Sequence, residues 1–159
     1  MSNNRELTAY REAAVQGTSP VELVIMLYDA LVRDMKRVMA AIQAGNIEDR
    51  VNQSNHAFDV LQELDGSLDM ENGGSTARDL SRFYSHVRAK VMEVQFKQDP
   101  AILERQIEMV LELRRGWEQV LALPSNAASQ AERIPVIAEF AAANPYAGVE
   151  EGRCCGWSA

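Results

Sequence analysis

Between Ser19 and Ile42 the chain carries an apolar surface too wide for one neighbour to cover. The stretch opens with a helix start signal. Ser19 can accept from free N–H groups, Pro20 suits the first helical position, and Glu22 stands three residues after the cap, where its carboxylate can reach back. Val24, Tyr28, Leu31, Met35, Val38 and Ile42 then step by alternating fours and threes, the spacing of a bundle seam. Leu23, Ile25, Met26, Leu27, Val32 and Met39 widen that seam over much of the circumference. A helix this apolar needs cover on several sides. A membrane span is excluded, because Glu22, Asp29, Arg33 and Asp34 interrupt the run too early. The stretch therefore predicts the central helix of an all-α bundle.

The remaining chain supplies the cover. Leu7, Tyr10, Ala14 and Val15 predict a short amphipathic helix ended by Gly17. Gly45 can close the long first helix in a left-handed turn, and Asn46 can cap the next. That second helix, Ile47 to Leu68, has a seam at Ala57, Leu61, Leu64 and Leu68. Its polar first half leaves only Ile47 and Val51 as anchors, so one end should be more exposed. Asn72-Gly73-Gly74-Ser75 marks a break. Ala77, Leu80, Tyr84, Val87, Val91 and Val94, broadened by Phe83, form the seam of a third helix. Asp99-Pro100 stops it and starts a fourth. There Leu103, Ile107, Val110, Trp117 and Leu121 face inward, flanked by Leu111, Leu113 and Val120. No strand-like alternation occurs. The predicted fold is an all-α, antiparallel up-down-up-down four-helix bundle over 19–123, with a short N-terminal cap segment at 1–18. Beyond Pro124 the character changes. Residues 124–159 read as a tail in which Val136 to Ala143 can form a short helix.

Chemistry is hard to find on this frame. A length of 159 residues suits one domain, and a net charge of −7 argues against general binding to nucleic acid or anionic membrane. Cys154 and Cys155 are adjacent and cannot join distant parts of a fold, so they read as reduced thiols. The first residues lack an apolar signal region, which points to the cytoplasm. A di-iron bundle would need Glu-x-x-His, but Gln53 precedes His56 and Phe83 precedes His86 at that spacing. His86, with Arg88 and Lys90 nearby, has some parts of a histidine phosphotransfer site. His56 and His86 read more simply as ordinary, partly exposed residues. Glu104, Glu108 and Glu112 read as a solvated helix face. No phosphate loop, metal spacing or nucleophile set appears, so no cofactor, metal or enzymatic activity is expected.

The chain resembles flagellin export chaperones of the FliS family over about residues 7–121. Thr18-Ser19-Pro20 followed by Leu23-Val24-Ile25-Met26-Leu27-Tyr28-Asp29 matches the family's strongest motif. Tyr10, Gly45-Asn46-Ile47, Leu68-Asp69-Met70-Glu71-Asn72-Gly73-Gly74 and Leu111-Glu112-Leu113-Arg114-Arg115-Gly116-Trp117 match in order and spacing. Ser75-Thr76 departs from the family's acidic and apolar pair, and the tail lies beyond the match. The resemblance implies a cytoplasmic chaperone that binds the C-terminal segment of flagellin, prevents premature polymerisation and presents the subunit to the flagellar export gate. It implies partner contacts at Leu7, Tyr10 and Tyr28, and a first helix that moves aside on binding. Periodicity alone leaves open whether that helix is a fixed part of the core. It also leaves open which face forms the groove, and whether an empty groove is filled by a second copy. A histidine phosphotransfer module using His86, or a structural four-helix adaptor, is the alternative.

Overall fold

The computed structural model describes residues 4–122. They form five helices: α1 (Asn4–Val15), α2 (Pro20–Gln43), α3 (Ile47–Gly66), α4 (Gly74–Lys97) and α5 (Ala101–Ala122). No strand occurs among the described residues. The predicted tail 124–159, its short helix at Val136–Ala143, and Cys154 and Cys155 lie outside them.

The helix boundaries follow from local chemistry. Ser19 Oγ accepts from the Glu22 backbone N–H at 3.2 Å, and Glu22 Oε2 accepts from the Ser19 N–H at 3.0 Å, a complete capping box. Gly45, at φ +65°, closes α2, and Asn46 Oδ1 accepts from the Asp49 N–H at 3.1 Å to open α3. The third helix in the chain ends at Gly66 rather than Leu68. Just past its end, the Ser67 hydroxyl donates to the Leu64 carbonyl and the Ser67 N–H donates to Glu63 O. Gln98 leaves α4 in the left-handed conformation, φ 53°, and Asp99 Oδ1 accepts from the Ala101 N–H at 3.0 Å.

The central role of α2 follows from its wide apolar surface. It packs against α3 on one side and α5 on the other; α4 packs against both of these, and α1 lies on α2. Tyr28, Leu31, Met35 and Val38 of its predicted seam are fully enclosed, with Val24 and Ile42 half-buried at the ends. Ala57, Leu61 and Leu64 meet them from α3. From α4 come Ala77, Leu80, Phe83, Tyr84, Val87, Val91 and Val94, and from α5 Leu103, Ile107, Val110 and Leu113. Each large side chain so enclosed contributes about 1.5–3 kcal/mol through burial.

Four expectations about packing fail. Ile47, at 66% exposed, and Val51 do not anchor the start of α3; Ser54 and His56 are buried there instead. His56 is not an ordinary partly exposed residue, because Asp34 of α2 holds it inside by a 2.5 Å hydrogen bond between Nδ1 and Oδ2. Ala14 and Val15 face water, leaving Leu7 and Tyr10 to hold α1. Leu121 is exposed at the last turn of α5, whereas Trp117, one turn earlier, is half-buried and does pack on the core, its Nε1–H donating to the Tyr28 hydroxyl.

Candidate functional site

The first helix docks on α2 from outside the ring formed by the four longer helices. At 12 residues it is too short to persist alone, so docking must hold it. Leu7 is buried and Tyr10 half-buried. With Met26, Leu27, Ala30 and Arg33 of α2 they line a hollow of about 250 Å³. Burial, and secondarily the charge of Glu63, raises the Tyr10 phenol above its ordinary pKa. A second concavity of about 490 Å³ runs along α2, lined by Asp29, Val32, Arg33, Lys36, Arg37 and Ala40. Asp29 and Arg33 border both hollows, so the outer face of α2 presents a trough that α1 covers at one end.

Asp29 is fixed at that border. Arg114 Nε and Nη2 donate to its two carboxylate oxygens at 2.6 and 3.1 Å, while Nη1 donates to Glu118 Oε1 at 2.6 Å. The planar fork on a carboxylate sets the register of α5 against α2. Sequence reading matched Asp29 and Arg114 separately and had no signal that they pair.

Leu7 and Tyr10 come together at the α1–α2 hollow, but Tyr28 does not join them. Its ring is fully enclosed on the inward face of α2. Its hydroxyl lies 2.5 Å from that of Tyr84 and accepts from Trp117 Nε1–H at 3.2 Å. Burial pushes the Tyr28 phenol up to about 12, against the opposing effect of its two hydrogen bonds. In this arrangement Tyr28 is a core residue and offers a partner no surface. Tyr84 and the Asp34–His56 pair went unmarked as polar features. The available signal was Asp34 itself, a carboxylate set among the most apolar residues of the chain.

His86 is half-buried on α4. Desolvation and then the charge of Lys90 lower its pKa, while a hydrogen bond with the buried Gln106 side chain raises it. An imidazole tied to a neighbouring helix is poorly placed to accept a phosphoryl group. Among the described residues no group of three or more His, Cys, Asp or Glu side chains is arranged to hold a metal ion. No described helix is long and apolar enough to cross a membrane.

Residues 2–124 match the family model described as flagellar protein FliS. The chain belongs to the FliS family. The flagellar secretion chaperone FliS of Vibrio cholerae serotype O1 is 30% identical over 118 residues, covering 72% of this chain and 87% of the relative. That of Campylobacter jejuni is 28% identical over 120 residues, covering 76% and 94%. That of Salmonella typhimurium is 24% identical over 110 residues, covering 69% and 82%. The family is one of flagellar secretion chaperones, not enzymes, and this chain is a chaperone of flagellum biogenesis and protein secretion. The match ends within two residues of the end of α5.

Proposed function

We propose that this FliS-family protein is a cytoplasmic chaperone for the C-terminal segment of flagellin, holding it against premature polymerisation and handing it to the flagellar export gate. The observation that carries the reading is the construction of α1. A short helix, held by Leu7 and Tyr10, lies over one end of a trough on α2 in a protein related to flagellar secretion chaperones. A flagellin segment that folds into that trough would displace or repack α1. Burial of apolar surface would offset an ordering cost of about 2–5 kcal/mol.

The scaffold for this is an antiparallel up-down-up-down bundle over 19–123, with 1–18 as cap and 124–159 as tail. Three side-chain pairs support it. Ser54–Gln95 sets the start of α3 beside the end of α4, Asp29–Arg114 sets the early part of α2 beside the later part of α5, and Asp34–His56 joins α2 to α3 across a short turn. An empty chaperone is also a candidate for association with a second copy.

Calorimetric titration of the full chain with monomeric flagellin tests the reading. One-to-one binding with a negative heat-capacity change is expected, lost when flagellin lacks its C-terminal segment. Absence of binding to intact flagellin would end it.

A further inference from the structure

The trough on α2 is locally cationic in an acidic chain. Arg33, Lys36 and Arg37 stand within five residues along it, in a protein of net charge −7. The acid among its lining residues, Asp29, is already held by Nε and Nη2 of Arg114. Lys36 is exposed, and neither it nor Arg37 forms an ion pair among the described residues. Val32 and Ala40 give the trough apolar lining, and it continues into the α1–α2 hollow with its exposed Met26. A concavity of about 490 Å³ with cations over apolar lining fits a segment that mixes apolar side chains with acids.

The chain carries such a segment, and it is attached to a helix that borders the trough. Residues 123–159 continue from the end of α5 and lie outside the described residues. Their densest apolar run is Ile134-Pro135-Val136-Ile137-Ala138-Glu139-Phe140, with Glu132 and Arg133 just before it. Over 123–159 four acids stand against two bases. The root of this tail is near the trough, because Arg114 ties α5 to Asp29 at the trough's own border. Ala122 is eight residues beyond Arg114, about 12 Å along α5. Lys36 is seven residues beyond Asp29, about 10 Å along α2. With helix axes about 8–10 Å apart, the separation from Ala122 to Lys36 is about 25 Å at most. The linker 123–133 reaches up to about 36 Å when extended, so it spans that distance with slack. A segment tethered so closely meets the trough at an effective concentration on the order of millimolar, and weak contacts then suffice to fill it.

We propose that tail segment 134–140 docks in the α2 trough of its own chain and competes there with flagellin. The docking needs only the trough and the tail; the competition rests on the flagellin reading above. Hydrogen exchange of the full chain without flagellin tests the docking. Residues 134–140 should exchange at least about fivefold more slowly in the wild type than in Phe140→Asp or Lys36→Glu. Helical circular dichroism of the three chains should coincide, since Lys36 is exposed and adds nothing to the core. Calorimetric titration with monomeric flagellin tests the competition. Phe140→Asp should bind at least about threefold more tightly than the wild type, because more of the chain has its trough open. Exchange at 134–140 as fast in the wild type as in Phe140→Asp would overturn the proposal. Slow exchange indifferent to Lys36→Glu would also overturn it, by placing the segment on another surface. Flagellin affinity unchanged or weakened by Phe140→Asp would overturn the competition. Failure of flagellin to bind any of these chains would end the flagellin reading, while the exchange comparison, which contains no flagellin, still decides the docking.

Discussion

The hydroxyls of Tyr28 and Tyr84 lie 2.5 Å apart inside the bundle, joining α2 to α4 at the point where Trp117 of α5 also donates to Tyr28. Three helices thus share one polar junction inside the core. Tyr28→Phe should cost about 1–3 kcal/mol, because it strands the Trp117 N–H and one side of the Tyr84 hydroxyl. Tyr84→Phe should also destabilise, and the double variant should cost less than the sum of the two. Urea unfolding of the four members of that cycle measures the coupling.

The same junction predicts alkaline sensitivity. The native Tyr28 phenol stands at about 12, above the ordinary value of 10.0, because burial disfavours the phenolate. The native state therefore holds its proton in a range where the unfolded chain releases it. This contribution is complete below pH 10 and is lost as pH rises through 10 toward 12. Loss of helical circular dichroism should coincide with the buried tyrosinate absorbance, and Tyr28→Phe should flatten the pH dependence of stability over that range.

Asp34 and His56 are a second buried polar pair. Removing either partner alone, as in Asp34→Ala or His56→Ala, should cost about 3–5 kcal/mol by leaving the other polar group enclosed. Replacing both with leucine should recover most of that loss. Equilibrium denaturation distinguishes this pattern from simple additivity.

Gly73 has an ordinary backbone conformation, so its need is for space. A Cβ there would overlap the Asp69 carbonyl oxygen and stand 2.7 Å from Ala77 Cβ. Its neighbour Gly74, at φ +55°, supplies the conformational freedom of this break. Gly73→Val should destabilise the fold by about 1–3 kcal/mol, read from the melting transition. Any loss of partner binding should scale with unfolding, since no trough residue is near in sequence.

Tyr10 and Leu7 are the apolar anchors of α1 among its described side chains. Tyr10→Ala should leave α2 to α5 folded, with stability changed by about 1 kcal/mol or less, and should release the first helix. Hydrogen exchange over 4–15 should accelerate while the rest of the bundle keeps its protection. Flagellin affinity should rise if Tyr10 only covers the site and fall if it also packs on the bound segment. Unchanged protection of α1 in both the variant and the flagellin complex would show a fixed core helix.

Amino-acid order alone determined the helices of this protein and most of its core. Caps and breakers act over three or four residues, so Ser19, Gly45, Asn46 and Asp99 could be read where they stand. Heptad-like spacing decided that Leu31, Val38, Leu61, Val87 and Val110 face inward, because burial follows helical period. The family was legible for the same reason: its motifs are local and ordered. Tertiary structure alone decided the pairings. Nothing in the spacing says that Asp34 finds His56, that Asp29 finds Arg114, or that Tyr28 turns to Tyr84 rather than to a partner. The apolar faces of Ile47 and Val51 match the helical period as well as buried ones do. They remain in water because α4 ends at Lys97, two residues past the Gln95 that meets Ser54, so the start of α3 runs beyond its neighbour, and that stagger depends on all the helices packed together.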